Sequence, residues 1–252
     1  MPTPSAPEHA LSLMDPPVAA PRVTDGYLDL VGPDPDGDGG RVSIAQRAMR
    51  STLVPRIYER AWRPLLFQAW TLRTTRAEER LVLDLLRPED GDVALDVASG
   101  PGNTTRRLRA AYDGGLVVGL DYSATMLARA TADTDDPGVA YVRGDAHRLP
   151  FGDGSIDLVT CLGALYLIED PFRVLDELLR VLAPGGRIAL LTTCERGPAP
   201  LRAAAGLLEP VSGLRGFAPD AFSSRLEADG LEDVRVDVSG WSQVVGGRRA
   251  EG

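Results

Sequence analysis

Residues 93–108 read VALDVASGPGNTTRRL, and this stretch decides the fold. A short apolar run carries the acid Asp96 near its end, a loop of small residues follows over 98–102, and a polar, helix-compatible segment begins at Asn103. This order predicts a strand, a tight loop and a helix. Small residues let the backbone approach a ligand closely, and the first turn of a helix offers free N–H groups. The stretch therefore predicts a site for a nucleotide-like cofactor at the end of a buried strand.

Strands and helices alternate along most of the chain that follows. Strands are predicted at 93–97, 116–120, 139–143, 156–161 and 187–193, and helices at 103–112, 124–132 and from 171 to the glycines at 185–186. Asp170 is the expected N-cap of the last of these helices. A further helix over 219–228 and a hairpin of 234–238 with 241–245 complete the pattern. Such alternation predicts an α/β fold with a mostly parallel sheet and helices on both faces.

The N-terminal part of the chain predicts a different organisation. Residues 1–40 are rich in Pro, Gly and Asp and predict a flexible tail. Residues 41–90 carry apolar side chains at helical spacing and predict an N-terminal helical cap, which leaves 91–252 for the cofactor-binding domain. The acidic run at 34–39 resembles the start of a calcium loop. However, Ala45 stands where such a loop needs a bidentate Glu, so a polar turn is expected.

The bulk composition excludes several classes of function. The chain has 252 residues, of which 44% are hydrophobic and 25% charged, as in ordinary globular proteins. Its net charge of −9 argues against a nucleic-acid partner. No apolar run reaches the length of a membrane span, and no basic leader begins the chain, so we expect a cytoplasmic protein. The two cysteines have no metal-ligand spacing, and we expect no metal.

Two cofactor classes compete for the small-residue loop. The dinucleotide fingerprint G-x-G-x-x-G fits Gly100 and Gly102, but Thr105 occupies its third position. Asp121, at the end of the second predicted strand, suits the ribose of either NAD or S-adenosylmethionine (SAM), because a carboxylate accepts two hydrogen bonds from a vicinal diol. Asp145, after the third predicted strand, could accept a hydrogen bond from an adenine amine. These acids alone leave both cofactors open.

Further motifs occur in order along the chain: GDA at 144–146, LPF at 149–151, DGSID at 153–157 and VLAPGG at 181–186. Over about 92–245 the chain resembles a class I SAM-dependent methyltransferase, in the group of the methyltransferase type 11 domains and the ubiquinone and menaquinone C-methyltransferases. The resemblance implies a Rossmann-like, doubly wound, seven-stranded sheet with an antiparallel last strand beside the fifth. It also implies SAM as the cofactor and S-adenosylhomocysteine (SAH) as the product.

The resemblance also implies where SAM binds. The small residues of the first loop would line its methionine part, and Asp96 would support that loop or reach the amino group through water. The acids after the next two strands would meet the ribose and the adenine. The implied cofactor-binding residues are Asp96, Ala98, Ser99, Gly100, Gly102, Asp121, Tyr122, Met126, Asp145, Ala146, Cys161 and Leu162.

The expected reaction transfers a methyl group from SAM to O, C or N of a small, apolar or aromatic molecule. Such an in-line displacement depends mainly on proximity and orientation, so catalytic residues are hard to find in the sequence. The candidates for a catalytic role are Tyr166, His147 and Glu169. The Asn-Arg pair that quinone methyltransferases carry in the loop over 162–170 is missing, which weighs against a quinone acceptor.

Several alternatives stay open from the sequence. The chain could be a non-catalytic SAM- or SAH-binding regulatory or partner protein, or an NAD-dependent reductase. In the predicted cap, Arg63 or Arg73 could pair with the SAM carboxylate, although helical spacing explains Trp62 and Trp70 as core residues. The loose segment over 196–217 is the other predicted lid. The oligomeric state is also open, with a homodimer as one possibility.

Overall fold

The structure, a computed structural model, describes residues 4–18, 21–32, 71–196 and 215–252. Within these ranges the strands are β1 (Arg22–Thr24), β2 (Tyr27–Asp29), β3 (Val93–Val97), β4 (Leu116–Asp121), β5 (Val139–Arg143), β6 (Ile156–Leu162), β7 (Leu182–Thr193), β8 (Leu231–Ser239) and β9 (Ser242–Arg249). The helices there are α1 (Ala6–Ser12), α2 (Thr75–Leu86), α3 (Asn103–Arg109), α4 (Ala124–Ala132), α5 (Pro171–Val181) and α6 (Ala221–Ala228), with a 3-10 turn at Leu165–Leu167.

The nine described strands form one sheet in the order β1-β2-β5-β4-β3-β6-β7-β9-β8. Strands β2 to β7 run parallel to one another, β1 is antiparallel to β2, and β9 is antiparallel to both β7 and β8. The chain moves outwards from β3 through β4 to β5 and then returns to the other side of β3 with β6. The strand order therefore reverses beside β3. The predicted Rossmann-like α/β class with an antiparallel last strand is confirmed, and β1 and β2 extend the expected sheet.

Alternate residues of the central strands pack on opposite faces of the sheet, and both faces are covered. In β3, Leu95 and Val97 pack in one core with α1, α5 and α6, whereas Ala94 packs with α2 and α3 on the other face. A smaller cluster joins Tyr27 of β2 and Tyr141 of β5 to α4. Because strands buried on both faces read as apolar runs, the central strands are recognisable in the sequence.

Three described elements, Ala6–Ser12, Arg22–Thr24 and Tyr27–Asp29, lie within the flexible tail predicted over 1–40. Ala6 and Ala10, about one helical turn apart, are buried on one face of α1. Strand β2 pairs in parallel with β5, and its residues Tyr27 and Leu28 are buried. The sequence did not predict these elements because they are only three to seven residues long. Such short elements owe their stability to packing on the sheet and leave little periodicity in the sequence.

Two other predicted boundaries also differ. The sequence assigns α2 to a cap over 41–90, but α2 packs against β7 and β9 and so belongs to the layered domain. Residues 41–70 of that predicted cap lie outside the described residues. Helix α5 ends at Val181 instead of at the following glycines, because Leu182 already pairs with Ile156 of β6. None of the described helices is long and apolar enough to cross a membrane.

Tyr27→Ala tests whether the N-terminal hairpin is packed. The Tyr27 side chain is 3% exposed and packs with Leu127, Ala130 and Tyr141. Its truncation should lower the free energy of unfolding by about 3–5 kcal/mol, the usual cost for a buried aromatic residue. Equilibrium unfolding in urea measures this change. Val23→Ala is the control, because Val23 on the neighbouring strand is 68% exposed. This substitution should lower the free energy of unfolding by less than about 0.5 kcal/mol. Equal stability of the two variants would contradict a packed hairpin.

Candidate functional site

The loop between β3 and α3 alternates left-handed and ordinary residues. Ala98, Gly100 and Gly102 have φ angles of 58°, 55° and 77°. Glycine adopts this conformation at the lowest cost, which explains two of the three positions. Within this turn the N–H of Ser99 donates a hydrogen bond to the carbonyl oxygen of Leu120 at 3.0 Å. The N–H of Gly102 donates to the carbonyl oxygen of Ser99, also at 3.0 Å. The loop is therefore held against the end of β4.

A cavity of about 520 Å³ opens at the carboxyl ends of β3, β4, β5 and β6, beside the point where the strand order reverses. Ligands bind at this place in open α/β sheets. The sequence-predicted residues that line it are Asp96, Ala98, Ser99, Gly100, Asp121, Tyr122, Met126, Asp145, Ala146, His147, Leu162 and Glu169. Sequence analysis missed the lining residues Pro101, Asn103, Thr104, Leu120, Ser123, Gly144, Gly163, Ala164, Leu167 and Ile168. Their only signal in the sequence is that they flank predicted residues in the same loops.

Asp121 ties the end of β4 to the loop after β3. Its Oδ2 accepts the N–H of Gly100 at 2.8 Å, and its Oδ1 accepts the N–H of Ser123 at 2.8 Å. Burial raises the pKa of Asp121, and its hydrogen bonds to backbone N–H groups oppose that shift. Helix α4 is capped by the Ser123 side chain, which accepts the N–H of Met126. Because each carboxylate oxygen has two lone pairs, Asp121 keeps acceptor capacity toward the cavity.

Asp96 is a second buried carboxylate at the same cavity. Its Oδ2 accepts the hydroxyl of Thr105 at 2.7 Å, and its Oδ1 accepts the hydroxyl of Thr160 at 3.0 Å. Asp96 is 2% exposed, and burial raises its pKa to about 6 although the hydroxyl groups lower it. These hydroxyl partners are neutral, so the charge of an ionised Asp96 is available to a cationic group in the cavity.

Ser99 supplies an unpaired polar group beside Gly100. Its hydroxyl is buried and, within the part of the chain that the structure describes, has no hydrogen-bond partner. A Cβ placed on Gly100 would meet no atom within 4 Å, so the backbone there faces open space. A buried hydroxyl without a partner costs free energy, which a polar group of a ligand would recover. The loop therefore fits a polar ligand that approaches its backbone closely.

His147 bridges two of the loops that line the cavity. Its Nδ1 lies 2.9 Å from Oδ1 of Asp145, and its Nε2 lies 2.5 Å from the carbonyl oxygen of Glu169. Partial burial lowers the pKa of His147, but the hydrogen bonds to Glu169 and Asp145 outweigh this effect and raise it. Both neighbours are acceptors, so the imidazolium form satisfies both and neither nitrogen has a free lone pair. This geometry favours a bridging role over the predicted role of catalytic base.

Three residues that the sequence places at the site lie outside the cavity. Gly102 faces Tyr141, and a Cβ there would lie 2.2 Å from the tyrosine hydroxyl, so close packing requires this glycine. Cys161 is fully buried in the core, because side chains alternate along β6 and its neighbour Leu162 faces the cavity instead. Burial also raises the pKa of the Cys161 thiol. Tyr166 lies half-buried in the 3-10 turn, outside the cavity lining.

The predicted arginine contact with the cofactor is not supported at Arg73. Its guanidinium pairs with Asp237 of β8, and it does not line the cavity. Arg63, Trp62 and Trp70 lie outside the described residues, as do residues 197–214 of the predicted lid. The position of Arg73 in the sequence does not show whether its guanidinium pairs with a cofactor or, as here, with an aspartate on β8.

A second cavity, of about 470 Å³, adjoins the first. Asn103, Thr104 and Leu162 line both cavities. The other ten lining residues of the second cavity belong to α2, α3 and its C-terminal flank, and β7. Six of them are aliphatic, and the others are Thr75, Glu78, Glu79 and Arg107, of which Glu79 and Arg107 form an ion pair at 2.6 Å. Over the described residues, no group of His, Cys, Asp and Glu side chains could hold a metal ion.

Comparison with known proteins identifies the segment that forms most of the first cavity. Residues 95–190 match the family described as "Methyltransferase domain". This segment is a class I SAM-dependent methyltransferase domain. The match includes the loop after β3 and the carboxyl ends of β4, β5 and β6, which together line the cavity.

Curated relatives share the methyltransferase domain over part of their length. The chain is 36% identical over 157 residues to the demethylmenaquinone methyltransferase of Beutenbergia cavernae, a match that covers 60% of this chain and 64% of that protein. It is also 38% identical over 127 residues to an uncharacterized 37.1 kDa protein in transposon TN4556 of Streptomyces fradiae. This match covers 50% of this chain and 37% of that protein. The chain thus spans between 37% and 64% of the length of these two relatives.

A solved structure shares the fold of the methyltransferase domain. It is a chain of a complex that contains the Haloferax volcanii Trm112 methyltransferase activator. The two chains align with a TM-score of 0.59 and 23% sequence identity, over 74% of this chain and 96% of that chain. The similarity at this level of identity concerns the fold alone.

Asp96 should make the stability of the methyltransferase domain depend on pH. Its pKa is about 6 in the folded chain against an ordinary value of 3.8, so the folded state binds the proton more tightly than the unfolded state. The free energy of unfolding should therefore fall as the pH rises from about 4 to about 6, by up to about 3 kcal/mol. Urea unfolding at several pH values measures this slope, which Asp96→Asn should reduce. An equal slope in both proteins would contradict the assignment to Asp96.

Gly100→Ala and Gly102→Ala form a matched pair that separates open space from close packing. Both positions are left-handed, which costs a residue with a Cβ about 1–2 kcal/mol. At Gly102 the new Cβ also meets the hydroxyl of Tyr141, so Gly102→Ala should lower the free energy of unfolding by about 1–3 kcal/mol more than Gly100→Ala does. Chemical denaturation of the two variants measures the difference. An equal decrease in the free energy of unfolding in both variants would overturn the packing role of Gly102.

Proposed function

We propose that the chain is a SAM-dependent methyltransferase that acts on a small molecule. The observation that carries this proposal is the Asp121 carboxylate, which lies at the carboxyl end of β4 and is joined to the left-handed loop through the N–H of Gly100. An acid in this place suits a ribose diol, and a loop of this shape suits a group that approaches the backbone closely. The methyltransferase domain over 95–190 and the names of the relatives support the same class.

The described residues fit SAM in chemical type. Asp121 would accept the ribose hydroxyls, and Tyr122 and Met126 offer apolar surface beside it. Ser99 would donate its unpaired hydroxyl to the methionine part, and the Asp96 carboxylate would favour the cationic amino group. Asp145 and Ala146 would meet the adenine. When bound, SAM supplies a methyl group on a sulfonium, whose leaving group needs no activation.

The protein's own contribution to such a reaction is mainly orientation. The loop after β3 is held by Asp121 and by the carbonyl of Leu120, and His147 joins the loop after β5 to the loop after β6. These contacts fix the walls of the cavity before the acceptor meets the methyl group, which lowers the entropic cost of the displacement. His147 holds its proton between two acceptors, so we propose a reaction in which the acceptor loses its proton to water or needs no base.

We further propose that the acceptor is a small, apolar or aromatic molecule that enters through the second cavity. That cavity shares Asn103, Thr104 and Leu162 with the first, and seven of its thirteen lining residues are aliphatic. The name of the Beutenbergia cavernae relative, a demethylmenaquinone methyltransferase, supports an aromatic or quinone-like acceptor. Against a quinone stands the absence of the Asn-Arg pair from the loop over 162–170.

A second candidate is a SAM-binding protein that does not transfer the methyl group. It is favoured by one observation: the imidazole of His147, which lines the cavity, has both ring nitrogens engaged with acceptors. Turnover separates the candidates, because transfer from methyl-labelled SAM to any acceptor in a panel of phenols, amines and quinols excludes the non-catalytic protein. The cytoplasmic location, the small-molecule partner and the possible homodimer remain predictions from the sequence and the family.

The proposed cofactor site is tested by calorimetric titration with SAH, with NADH in parallel. We expect micromolar or tighter binding of SAH and no heat with NADH. Asp121→Ala should weaken SAH binding by about 1.5–3 kcal/mol, the scale of a hydrogen bond to a charged group. Asp84→Ala on the exposed side of α2 is the control and should leave the affinity unchanged.

The outcomes of this titration are distinct. If the folded wild-type protein does not bind SAH, the proposed function is contradicted. Normal SAH affinity in folded Asp121→Ala would remove Asp121 from the site while leaving the cofactor in place. Binding of NADH with no response to SAH would favour the reductase.

A further inference from the structure

The last residues of three parallel strands lie side by side next to the cavity. Asp29 ends β2, Arg143 ends β5 and Asp121 ends β4, and the strand register pairs Asp29 with Arg143 and Arg143 with Asp121. Residues in register on parallel neighbours place their side chains on the same face of the sheet. The N-terminal hairpin of β1 and β2 thus brings an acid within two strands of the proposed ribose site.

Arg143 is fixed by contacts to three residues in two different segments. It is 8% exposed; its Nη1 lies 3.4 Å from Oδ2 of Asp29 and donates to the carbonyl of Gly32 at 2.9 Å. Its Nε donates to the carbonyl of Tyr122 at 3.0 Å. Asp29 is itself held, because its Oδ1 accepts the N–H groups of Val31 and Gly32 at 3.0 Å each. The guanidinium group therefore has little freedom to move.

These contacts converge on Tyr122, which lines the first cavity. Tyr122 is 44% exposed, and the guanidinium carbon of Arg143 lies 5.7 Å from the centroid of its ring. Arg143 thus contacts Tyr122 twice, once at the main-chain carbonyl and once at the ring face. An exposed aromatic ring on the residue after the ribose acid would otherwise be free to turn away from the cavity.

We propose that Asp29 and Arg143 are positioning residues that hold Tyr122 as a wall for the nucleoside half of the cofactor. The inference rests on the proposed function, since it needs SAM or SAH in the first cavity. It makes the N-terminal hairpin a part of the cofactor site, although the methyltransferase domain match begins at residue 95. A buried ion pair is a poor source of net stability, and specificity of geometry is its better-attested use.

Three variants of the full-length chain test this proposal. Asp29→Asn keeps an oxygen for the N–H groups of Val31 and Gly32 but replaces the oxygen that faces Arg143. Arg143→Lys keeps the positive charge but cannot contact Asp29 and the Tyr122 carbonyl together. Tyr122→Leu removes the ring. Calorimetry on each variant uses two probes, SAH and 5′-methylthioadenosine, which has the nucleoside and lacks the amino-acid part.

We expect each single variant to raise the dissociation constants of both probes by a similar factor, about three- to tenfold, as for the loss of a partly buried aromatic contact. The double variant Asp29→Asn/Tyr122→Leu distinguishes positioning from general stability. If Asp29 acts through Tyr122, adding Asp29→Asn to Tyr122→Leu should change the dissociation constants by less than about twofold relative to Tyr122→Leu alone. A merely structural ion pair would not show this dependence on the ring.

Arg109→Lys is a matched control. Arg109 also pairs with an aspartate, through Nε to Asp136 at 3.1 Å, and it also donates to a tyrosine carbonyl, that of Tyr112 at 2.8 Å. It lies outside the lining of the first cavity, so Arg109→Lys should leave both dissociation constants unchanged. Thermal denaturation of every variant sets a titration temperature at which all are folded.

Each outcome bears on one proposal or both. Unchanged affinity for both probes in folded Asp29→Asn and Arg143→Lys would overturn the positioning role while SAH binding by the wild type upholds the cofactor site. Weaker SAH binding with unchanged 5′-methylthioadenosine binding would also overturn it, because the effect would then lie at the amino-acid half. Wild-type protein that binds neither probe would overturn the proposed function and this inference together.

Discussion

The hydrogen bonds of the Asp121 carboxylate are the interaction on which the candidate site depends. One oxygen receives the N–H of Gly100 and the other receives the N–H of Ser123, so a single side chain joins the loop after β3 to the segment before α4. The N–H of Gly100 points inwards because the loop turns through left-handed residues at both sides of Ser99. A carboxylate satisfies this buried donor and retains lone pairs for a ligand. The same side chain thus holds the loop beside the cavity and keeps acceptor capacity toward the cavity.

Several groups around this carboxylate are poorly suited to a folded protein without a ligand. Asp96 is a buried acid whose hydrogen-bond partners are neutral hydroxyls, and the Ser99 hydroxyl is buried with no partner within the described residues. Such features cost stability, and they concentrate where a protein binds or reacts with something. Their position at the carboxyl ends of parallel strands, where the strand order reverses, supports the same conclusion from topology. The chemistry of the site and the architecture of the sheet therefore agree.

The central sheet could be predicted from the sequence because its signals are local. The strands Val93–Val97 and Val139–Arg143 and the helix Ala124–Ala132 have the bounds that their apolar runs and caps predict. Twelve of the 22 residues that line the cavity were named from the sequence or implied by the family resemblance, and they meet there because residues that follow parallel strands lie at one edge of the sheet. Gly102 and Cys161, which were also implied, lie beside lining residues but pack against Tyr141 and in the core. The direction of a side chain at a loop or strand end depends on its neighbours in space.

The sequence by itself determined the class of fold, the place of the loop and the identity of the acids beside it, because periodicity and small-residue turns act over a few residues. Only the tertiary structure decided that β2 pairs with β5 and delivers Asp29 to Arg143, a contact between residues far apart in a segment with little periodicity. It also decided that both nitrogens of His147 face acceptors. These contacts join segments that are distant in the chain, and no local pattern specifies which distant group a buried polar side chain will meet.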